Sequence, residues 1–165
     1  MNRTKTNQTL DPKTTIGHVH LKVAELERAV KFYTEILGFE VMTRVGTTAA
    51  FLSAGGYHHH IGLNTWESEN GNPPPPGSTG LYHFAILVPN RKELARALKR
   101  LMDHNYTIEG LSDHGVSEAI YISDPDGNGI EIYADRPRNK WPKDAKGDIE
   151  MYTKRLDVEN LMKEL

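Results

Sequence analysis

The sequence predicts an α+β protein built from two βαβββ units that pack together as one domain. Three observations predict it: the chain repeats itself, each repeat opens with a strand followed by a helical spacing of apolar residues, and turn-forming residues divide the remainder into short strands. A unit of about 50 residues cannot cover both faces of its own sheet, so the two units should share one core.

The opening strands and the helices carry the repeat. Shifting the sequence by 65 residues places HVHLKV, which starts at His18, over HFAILV, which starts at His83. Behind each strand, apolar residues follow the i, i+3, i+4, i+7, i+8 spacing of an amphipathic helix. Gly38 is a predicted C-cap of the first helix, and Asp103 and Asn105 are stop signals for the second. The predicted buried stripes are Ala29, Phe32, Tyr33, Ile36 and Leu37 in the first helix and Leu94, Ala97, Leu98, Leu101 and Met102 in the second.

Turn residues delimit the remaining strands of each unit. Glycine turns separate the first set, and the DPDGNG segment separates the last two strands of the second set. The run NPPPPG is predicted to be a stiff, extended connector between the units. The predicted strands are 39–45, 47–54 and 57–65 in the first unit and 106–110, 116–123 and 129–134 in the second.

The organisation of the chain follows from these elements. Residues 1–14 are polar and predict a flexible tail, 15–135 form the domain with repeats at about 16–66 and 80–135, and 136–165 form an extension ending in a short helix. Asp157 is the expected N-cap of that helix, with Leu156 and Leu161 as its hydrophobic staple. We expect the extension to dock on the domain or on a second subunit. A homodimer through this tail or an edge strand is compatible with the sequence.

Composition excludes several classes of function. The chain has 165 residues, of which 38% are hydrophobic and 25% charged, with a formal net charge of −2. Without a basic excess we expect no binding to nucleic acid or to an anionic membrane surface. No apolar run approaches the roughly 18 residues of a membrane span, and the polar N-terminus lacks the apolar region of a signal peptide. With no cysteine, disulfides and thiol catalysis are excluded, and a cytoplasmic location is expected.

The repeat singles out two histidines and the last strand offers a carboxylate. His18 and His83 occupy the same place in the two units, and Glu131 lies between Ile130 and Ile132. Two histidines and one carboxylate leave about three positions of an octahedral metal open, as in the facial triad of non-haem Fe(II) oxygenases. The alternative of two half-buried histidines and an exposed edge glutamate stays open. His20 competes with His18, which is preferred because it superposes on His83.

Three segments resemble the vicinal oxygen chelate superfamily, which includes glyoxalase I, the fosfomycin and bleomycin resistance proteins and the type I extradiol dioxygenases. They are HVHLKVAELERAVKFYTEILGFEV, LYHFAILVP and DPDGNGIEIY, and the resemblance covers roughly residues 15–135. It implies that the two βαβββ modules form one vicinal oxygen chelate domain whose metal is held by His18, His83 and Glu131. The segments GGYHHHIGLNTW, DRPRNKWP and LDVENL resemble catechol 2,3-dioxygenase-like proteins, which usually carry two such domains where this sequence has one.

The resemblance also implies a subfamily and a mechanism. Glyoxalase I carries a fourth, acidic ligand on the last strand of its first unit, where this sequence has no acid before Glu67. An extradiol dioxygenase is therefore implied, with His59 as acid–base group and His114 and Tyr121 as hydrogen-bonding groups. The rivals of His59 are His58 and His60, and Asn64, Trp66 and Tyr82 are candidate pocket residues.

The implied ligands follow from that subfamily. The metal would be Fe(II), with Mn(II), Zn(II) or Ni(II) as alternatives, and the partners would be a small aromatic substrate and dioxygen. Glyoxalase-like isomerisation, and an enzyme or binding protein of the fosfomycin or bleomycin resistance type, are the alternative functions.

Overall fold

A computed structural model of the chain describes residues 9–165. Of the predicted tail 1–14, residues 1–8 lie outside the described part. The first unit comprises β1 (Val19–Lys22), α1 (Leu26–Lys31, continued by a π-helical turn Phe32–Ile36), β2 (Glu40–Val45), β3 (Ala49–Ser53) and β4 (Ile61–Asn64). The second comprises β5 (Phe84–Leu87), α2 (Arg91–Asp103), β6 (Gly110–Asp113), β7 (Ser117–Ser123) and β8 (Gly129–Asp135). The tail adds a 3₁₀ turn (Arg138–Lys140), β9 (Lys154–Arg155) and α3 (Val158–Met162).

Each unit forms one mixed sheet, and the two sheets have the same topology. The strand orders are β1-β4-β3-β2 and β5-β8-β7-β6-β9, and in each the first strand runs parallel to the last strand of its unit. The other pairs are antiparallel. The α+β class and the repeated βαβββ unit are therefore confirmed. Strand β9, which pairs with β6, was not predicted.

One hydrophobic cluster runs through both units, as expected of half-units that share a core. The predicted stripe of α1 is buried at Ala29 and in its π-helical continuation. In α2 the prediction that Met102 is buried was wrong, because its side chain is 52% exposed. Ala95, which the predicted stripe did not include, is fully buried. Helix α3 also packs against α2.

The turn between β7 and β8 joins the two units. The Tyr33 hydroxyl of the first unit donates to Asp124 Oδ2 over 2.9 Å in a buried position. The Asp126 carboxylate of the same turn accepts hydrogen bonds from Ala24 N at 3.0 Å and from Arg28 at 2.6 Å. Asp124 also accepts three N–H groups of its own turn, so the turn is rigid where it meets the helix.

Two predicted strands begin later than expected. The strand predicted over 57–65 starts at Ile61, because Gly55 and Gly56 both adopt positive φ and the chain after them forms a turn. The strand predicted over 106–110 was wrong, and its place is taken by β6, which starts at Gly110. Asn105 is left-handed at φ 51°, and an extended segment then leads into the sheet.

The C-terminal tail docks on its own chain. Asp157 caps α3 by accepting a hydrogen bond from Asn160 N at 3.0 Å, and both staple residues, Leu156 and Leu161, are buried. These predictions are confirmed. The longest helix within residues 9–165 has 13 residues and spans about 20 Å, and none there is long and apolar enough to cross a membrane.

Candidate active site

Glu131 and His83 meet on the open face of the second sheet. In β8, Glu131 alternates with the buried Ile130 and Ile132, so its side chain points to the opposite face. His83 immediately precedes β5, which runs parallel to β8, and its Nε2 lies 3.1 Å from Glu131 Oε2. The side chains are 29% and 15% exposed, so the pair is sheltered but open to solvent.

A hydrogen-bonded chain extends from this pair across the sheet. Tyr121 on β7 lies directly opposite Glu131, and its hydroxyl donates to Glu131 Oε1 over 3.1 Å. The same hydroxyl lies 2.7 Å from His114 Nε2, and His114 Nδ1 lies 2.9 Å from the carbonyl oxygen of Tyr152. One hydroxyl carries one hydrogen, so Tyr121 donates either to Glu131 or to His114 Nε2. While it donates to Glu131, the contact with His114 requires a hydrogen on Nε2 in addition to the one that Nδ1 donates to the Tyr152 carbonyl.

The electrostatic setting of Tyr121 keeps it a donor. Burial first, and the negative charge of Glu131 second, raise its pKa to about 12. At neutral pH the phenol therefore keeps its hydrogen and can donate it to a carboxylate or to a bound oxygen atom.

A groove runs along this chain of side chains. Its volume is about 680 Å³, which is ample for one small aromatic molecule. Tyr82 stands at the opening with 91% of its surface exposed. The residues that line the groove come from the second unit and the tail: Tyr82, His83, Glu109, Gly110, Ser112, His114, Tyr121, Ile122, Ser123, Gly127, Gly129, Ile130 and Thr153.

A second group of imidazoles lies on the first sheet. The ring of His18, just before β1, packs 4.4 Å from that of His59, and His59 Nδ1 lies 2.8 Å from His58 Nδ1. Desolvation first, and the neighbouring imidazole of His18 second, lower the pKa of His59. The structure thus brings together His83, His114, Tyr121 and Glu131 in one group and His18 and His59 in another. Within residues 9–165, no three histidine, aspartate or glutamate side chains form a group that could hold a metal ion.

The rival histidines have other contacts. His20 lies over Gly62, where a Cβ would come within 2.9 Å of its ring, and beside Trp66. His60 Nδ1 lies 3.1 Å from Ser53 Oγ, and its backbone N–H and carbonyl bond to neighbouring strands. The strand predicted over 57–65 would put His58 and His60 on the opposite face from His59, but all three residues precede β4, so this prediction was wrong.

Of the three candidate pocket residues, Tyr82 lines the groove. Trp66 and Asn64 lie at the end of β4 in the other sheet, where Asn64 Oδ1 accepts a hydrogen bond from Trp66 N.

Sequence reasoning missed the contribution of the tail. Tyr152 supplies a carbonyl to His114, and Thr153 lines the groove with its Oγ1 3.3 Å from His114 Nδ1. The two-residue strand β9 that follows is too short to show a period, so no pattern in the sequence pointed to this contact.

The His83–Glu131 pair fits a divalent metal in chemistry and in spacing. Imidazole nitrogen and carboxylate oxygen are ligands shared by Fe(II), Mn(II), Zn(II) and Ni(II). Two adjacent ligands at about 2.1 Å from one octahedral metal lie about 3 Å apart, which is close to the 3.1 Å that separates the two side chains. The second oxygen of Glu131 is held by Tyr121, so the carboxylate is oriented in the way that metal ligands commonly are.

Comparison with known proteins agrees with this fold. Residues 15–132 match the model of the family described as "Glyoxalase/Bleomycin resistance protein/Dioxygenase superfamily". A catechol-2,3-dioxygenase of Bacillus subtilis (strain 168) is 46% identical over 92% of this chain and 52% of its own length. A biphenyl-2,3-diol 1,2-dioxygenase of Rhodococcus globerulus is 28% identical over 73% of this chain and 63% of its own. The chain thus spans about half the length of the Bacillus relative.

Solved structures show the same fold. A glyoxalase/dioxygenase from Nostoc punctiforme superposes with a TM-score of 0.62 at 23% identity, covering 79% of this chain and 99% of that one. A lactoylglutathione lyase from Agrobacterium tumefaciens gives a TM-score of 0.58 at 23% identity, covering 75% and 96%. Both similarities concern the backbone architecture alone.

Proposed function

The chain belongs to the glyoxalase/bleomycin resistance protein/dioxygenase superfamily, and on that premise we propose that it is a metal-dependent extradiol ring-cleaving dioxygenase. Its substrate would be a small catechol-like aromatic compound, with dioxygen as the second substrate. The observation that carries the proposal is the hydrogen-bonded chain from Glu131 through Tyr121 to His114, beside His83 and along the groove. The two relatives named as dioxygenases support it.

The metal ligands in this proposal are His18, His83 and Glu131, of which the structure brings His83 and Glu131 together and leaves His18 beside His59. The pair of His83 and Glu131 supplies two adjacent donors, and His18 occupies the equivalent place before β1 on the first sheet. Fe(II) is proposed, with Mn(II), Zn(II) or Ni(II) as alternatives; one relative, from Geobacillus genomosp. 3, is named as manganese-dependent. When bound, such a metal would supply Lewis-acid binding of the two catechol oxygens and activation of dioxygen.

The chain's own residues would orient the substrate and move protons. Tyr121 holds Glu131 Oε1 and can donate its hydroxyl hydrogen to a substrate oxygen in the groove. His114 Nε2 contacts that hydroxyl and can return or remove its proton. His59 is the proposed acid–base group on the first sheet, where its ring packs against His18.

Oxygen consumption by the metal-loaded chain tests the proposed reaction. The protein would be reconstituted anaerobically with Fe(II) and assayed for oxygen uptake on catechol and several substituted catechols. We expect oxygen uptake with a yellow ring-cleavage product. Tight metal binding without uptake across the panel would contradict the proposal and favour the isomerase or binding functions of the superfamily.

Metal stoichiometry tests the ligand set. We expect His18→Ala and Glu131→Ala to abolish one-to-one metal binding with little loss of fold, because each removes one of three donors. His20→Ala is the matched control, because it removes an imidazole two residues from His18 that is not among the proposed ligands, and it should retain the metal. One-to-one metal in both ligand variants would contradict the assignment, and loss of metal in His20→Ala alone would transfer the role to His20.

A homodimer is also proposed, formed through the tail or an edge strand. Strand β2 is an edge strand of the first sheet and exposes Val41, Met42 and Val45. Sedimentation at high protein concentration should show a dimer, and a monomeric profile would refute it.

A further inference from the structure

We infer that the tail segment Tyr152–Thr153 is a positioning part of the active site, because its backbone carbonyl fixes the tautomer of His114. The catalytic importance of this contact rests on the proposed function, whereas the contact itself does not. In this arrangement His114 keeps a hydrogen on Nδ1 and exchanges protons with the site through Nε2.

The hydrogen bonds of His114 carry the first step of the argument. Its Nδ1 lies 2.9 Å from the Tyr152 carbonyl oxygen, and a carbonyl oxygen can only accept. Nδ1 must therefore carry the hydrogen of this bond, whatever the state of the other nitrogen. Nε2 faces the Tyr121 hydroxyl at 2.7 Å, so it is the nitrogen that gives or takes a proton there.

The tail is held firmly enough to position a side chain. Strand β9 pairs with β6, with Lys154 opposite Asp113, so the strand that ends just before His114 is paired with the segment that follows Thr153. After β9, the side chains of Leu156 and Leu161 are buried in the common core. The segment is thus anchored directly after Thr153, first by the sheet and then by the core.

Close packing beside His114 supports the same conclusion. Gly115 adopts φ +78°, and a Cβ there would lie 2.7 Å from Tyr152 Cε1 and 2.8 Å from Pro142 Cγ. The tail therefore rests directly on the loop that carries His114. A methyl group at this position would force the Tyr152 ring and Pro142 away from the loop.

The tail also reaches the groove itself. Thr153 is one of the residues lining the groove, and its hydroxyl lies 3.3 Å from His114 Nδ1. Its side chain is a weaker second partner for the nitrogen already bonded to the carbonyl at 2.9 Å. The carbonyl, rather than the hydroxyl, is the group that selects the tautomer.

Nitrogen-15 NMR of the histidine rings tests the inference directly. The full-length chain, labelled on histidine and without added metal, would be measured near pH 8.5 (about two units above the ordinary imidazole pKa). We expect His114 to carry a slowly exchanging hydrogen on Nδ1. A bare Nδ1 with the hydrogen on Nε2 would overturn the inference. Because this readout requires no turnover, it decides the question even if no catechol is cleaved.

Two glycine variants separate the contact from backbone strain. Gly115→Ala should displace the tail, lose the protected Nδ1 hydrogen and lower kcat about tenfold or more at little-changed KM. Gly147→Ala is the matched control, since Gly147 also has positive φ at +88° but has no atom within 4 Å of its added Cβ. It should keep both the NMR signature and the activity. An unchanged Nδ1 signal in folded Gly115→Ala would overturn the inference.

A side-chain variant separates the hydroxyl from the carbonyl. Thr153→Val removes Oγ1 at nearly constant shape and should leave the hydrogen on Nδ1 of His114. Transfer of that hydrogen to Nε2 in Thr153→Val would assign tautomer selection to the hydroxyl and refute the role of the carbonyl.

Discussion

Tyr121 touches both the carboxylate of Glu131 and the imidazole of His114, and it does so from the middle of a strand. Its register opposite Glu131 is fixed by the β7–β8 ladder, so the contact does not depend on a mobile loop. At the scale of single residues, this side chain connects Glu131, a proposed metal ligand, to His114, a proposed proton-transfer group.

Replacing Tyr121 by phenylalanine should separate metal binding from turnover. Tyr121→Phe removes both hydrogen bonds of the hydroxyl and leaves the ring in place, so metal stoichiometry should be retained. We expect kcat on an active catechol to fall about 10- to 100-fold, because a positioned proton donor is lost. Steady-state kinetics and metal analysis measure the two effects.

The control for this variant is Tyr133→Phe. Tyr133 is also half-buried, and it lies on the neighbouring strand β8. Its kinetics should stay close to those of the parent chain. Unchanged kinetics in Tyr121→Phe would remove the proposed role of that hydroxyl.

The sequence predicted the residues of the candidate site better than it predicted their contacts. The repeat identified His83, the pattern of the last strand identified Glu131, and the resemblance added His114 and Tyr121; the structure places all four in one hydrogen-bonded group. His59 was predicted with them but lies on the other sheet. Pairing between distant segments fixes these neighbours, and a motif read along one chain does not contain that information.

At the scale of elements, an ion network links the tail to the strand that precedes His114. Arg136 donates to Asp113 at 2.8 Å and to the buried Glu118 at 3.1 Å. Arg91 of α2 donates to Glu118 at 2.6 Å and to Glu164 beyond α3 at 2.8 Å. The network thereby ties α2 and the tail to strands β6 and β7 of the second sheet.

The Asp113 carboxyl makes this network sensitive to acid. Burial raises the pKa of Asp113, but the Gly115 N–H and the Arg136 guanidinium outweigh it, so the pKa lies below its ordinary value of about 3.9. A carboxyl with a lowered folded-state pKa contributes stability above its ordinary pKa and loses it as the pH falls through the folded value. We therefore expect the free energy of unfolding to decrease below about pH 4.

Urea unfolding across this pH range tests the expectation. Asp113→Asn should be less stable than the parent chain at neutral pH and should lose less stability on acidification. Asp148→Asn alters an exposed carboxyl in the tail and should follow the parent curve. An identical acid dependence in Asp113→Asn and the parent would contradict the role assigned to Asp113.

Element boundaries show where the sequence was informative. The cap and staple of α3 were predicted because they depend on neighbouring residues, Asp157 above all. The start of β6 was not, because it is set by pairing with β7 rather than by any local alternation. Similarly, residues 57–60 form a turn where the sequence predicted the start of a strand. Gly55 and Gly56, which precede this turn, adopt a left-handed backbone that other residues rarely adopt.

At the scale of the whole molecule, the two units are joined by the buried bond between Tyr33 and Asp124. Tyr33→Phe would remove a hydrogen bond to a buried carboxylate, which should reduce the free energy of unfolding by about 1.5–3 kcal/mol. Tyr106→Phe is the control, because the Tyr106 hydroxyl donates to the neutral carbonyl of Ser123 within one unit and should cost about 1 kcal/mol. Equal losses in the two variants would contradict the special role of the inter-unit bond.

The same hydrogen bond makes the stability of the protein depend on pH in the alkaline range. Burial first, and the charge of Asp124 second, raise the pKa of Tyr33 well above its ordinary value. A group whose folded-state pKa is raised contributes stability below its unfolded pKa and loses it as the pH rises toward the folded value. Stability should therefore decline above about pH 10, and less steeply in Tyr33→Phe, as thermal melts at several alkaline pH values would show.

The architecture as a whole could be predicted because the repeat gives both units the same order of helices and strands. The shift that superposes His18 on His83 implied that the βαβββ unit occurs twice, and the two units form sheets in which their four strands have the same order. The added ninth strand was not implied, because only the second unit is followed by a tail long enough to return to its sheet edge.

The candidate site is divided unevenly between the two halves of the chain, and this decides which half could be exchanged for that of a relative. Except for the proposed ligand His18 and the proposed acid–base group His59, the proposed chemical groups belong to the second half of the chain and its tail. A chimera that exchanged the first half for that of a relative would keep the Glu131–Tyr121–His114 chain intact. Such an exchange requires the donor half to retain a tyrosine in place of Tyr33 and the apolar side chains that the first half contributes to the shared core.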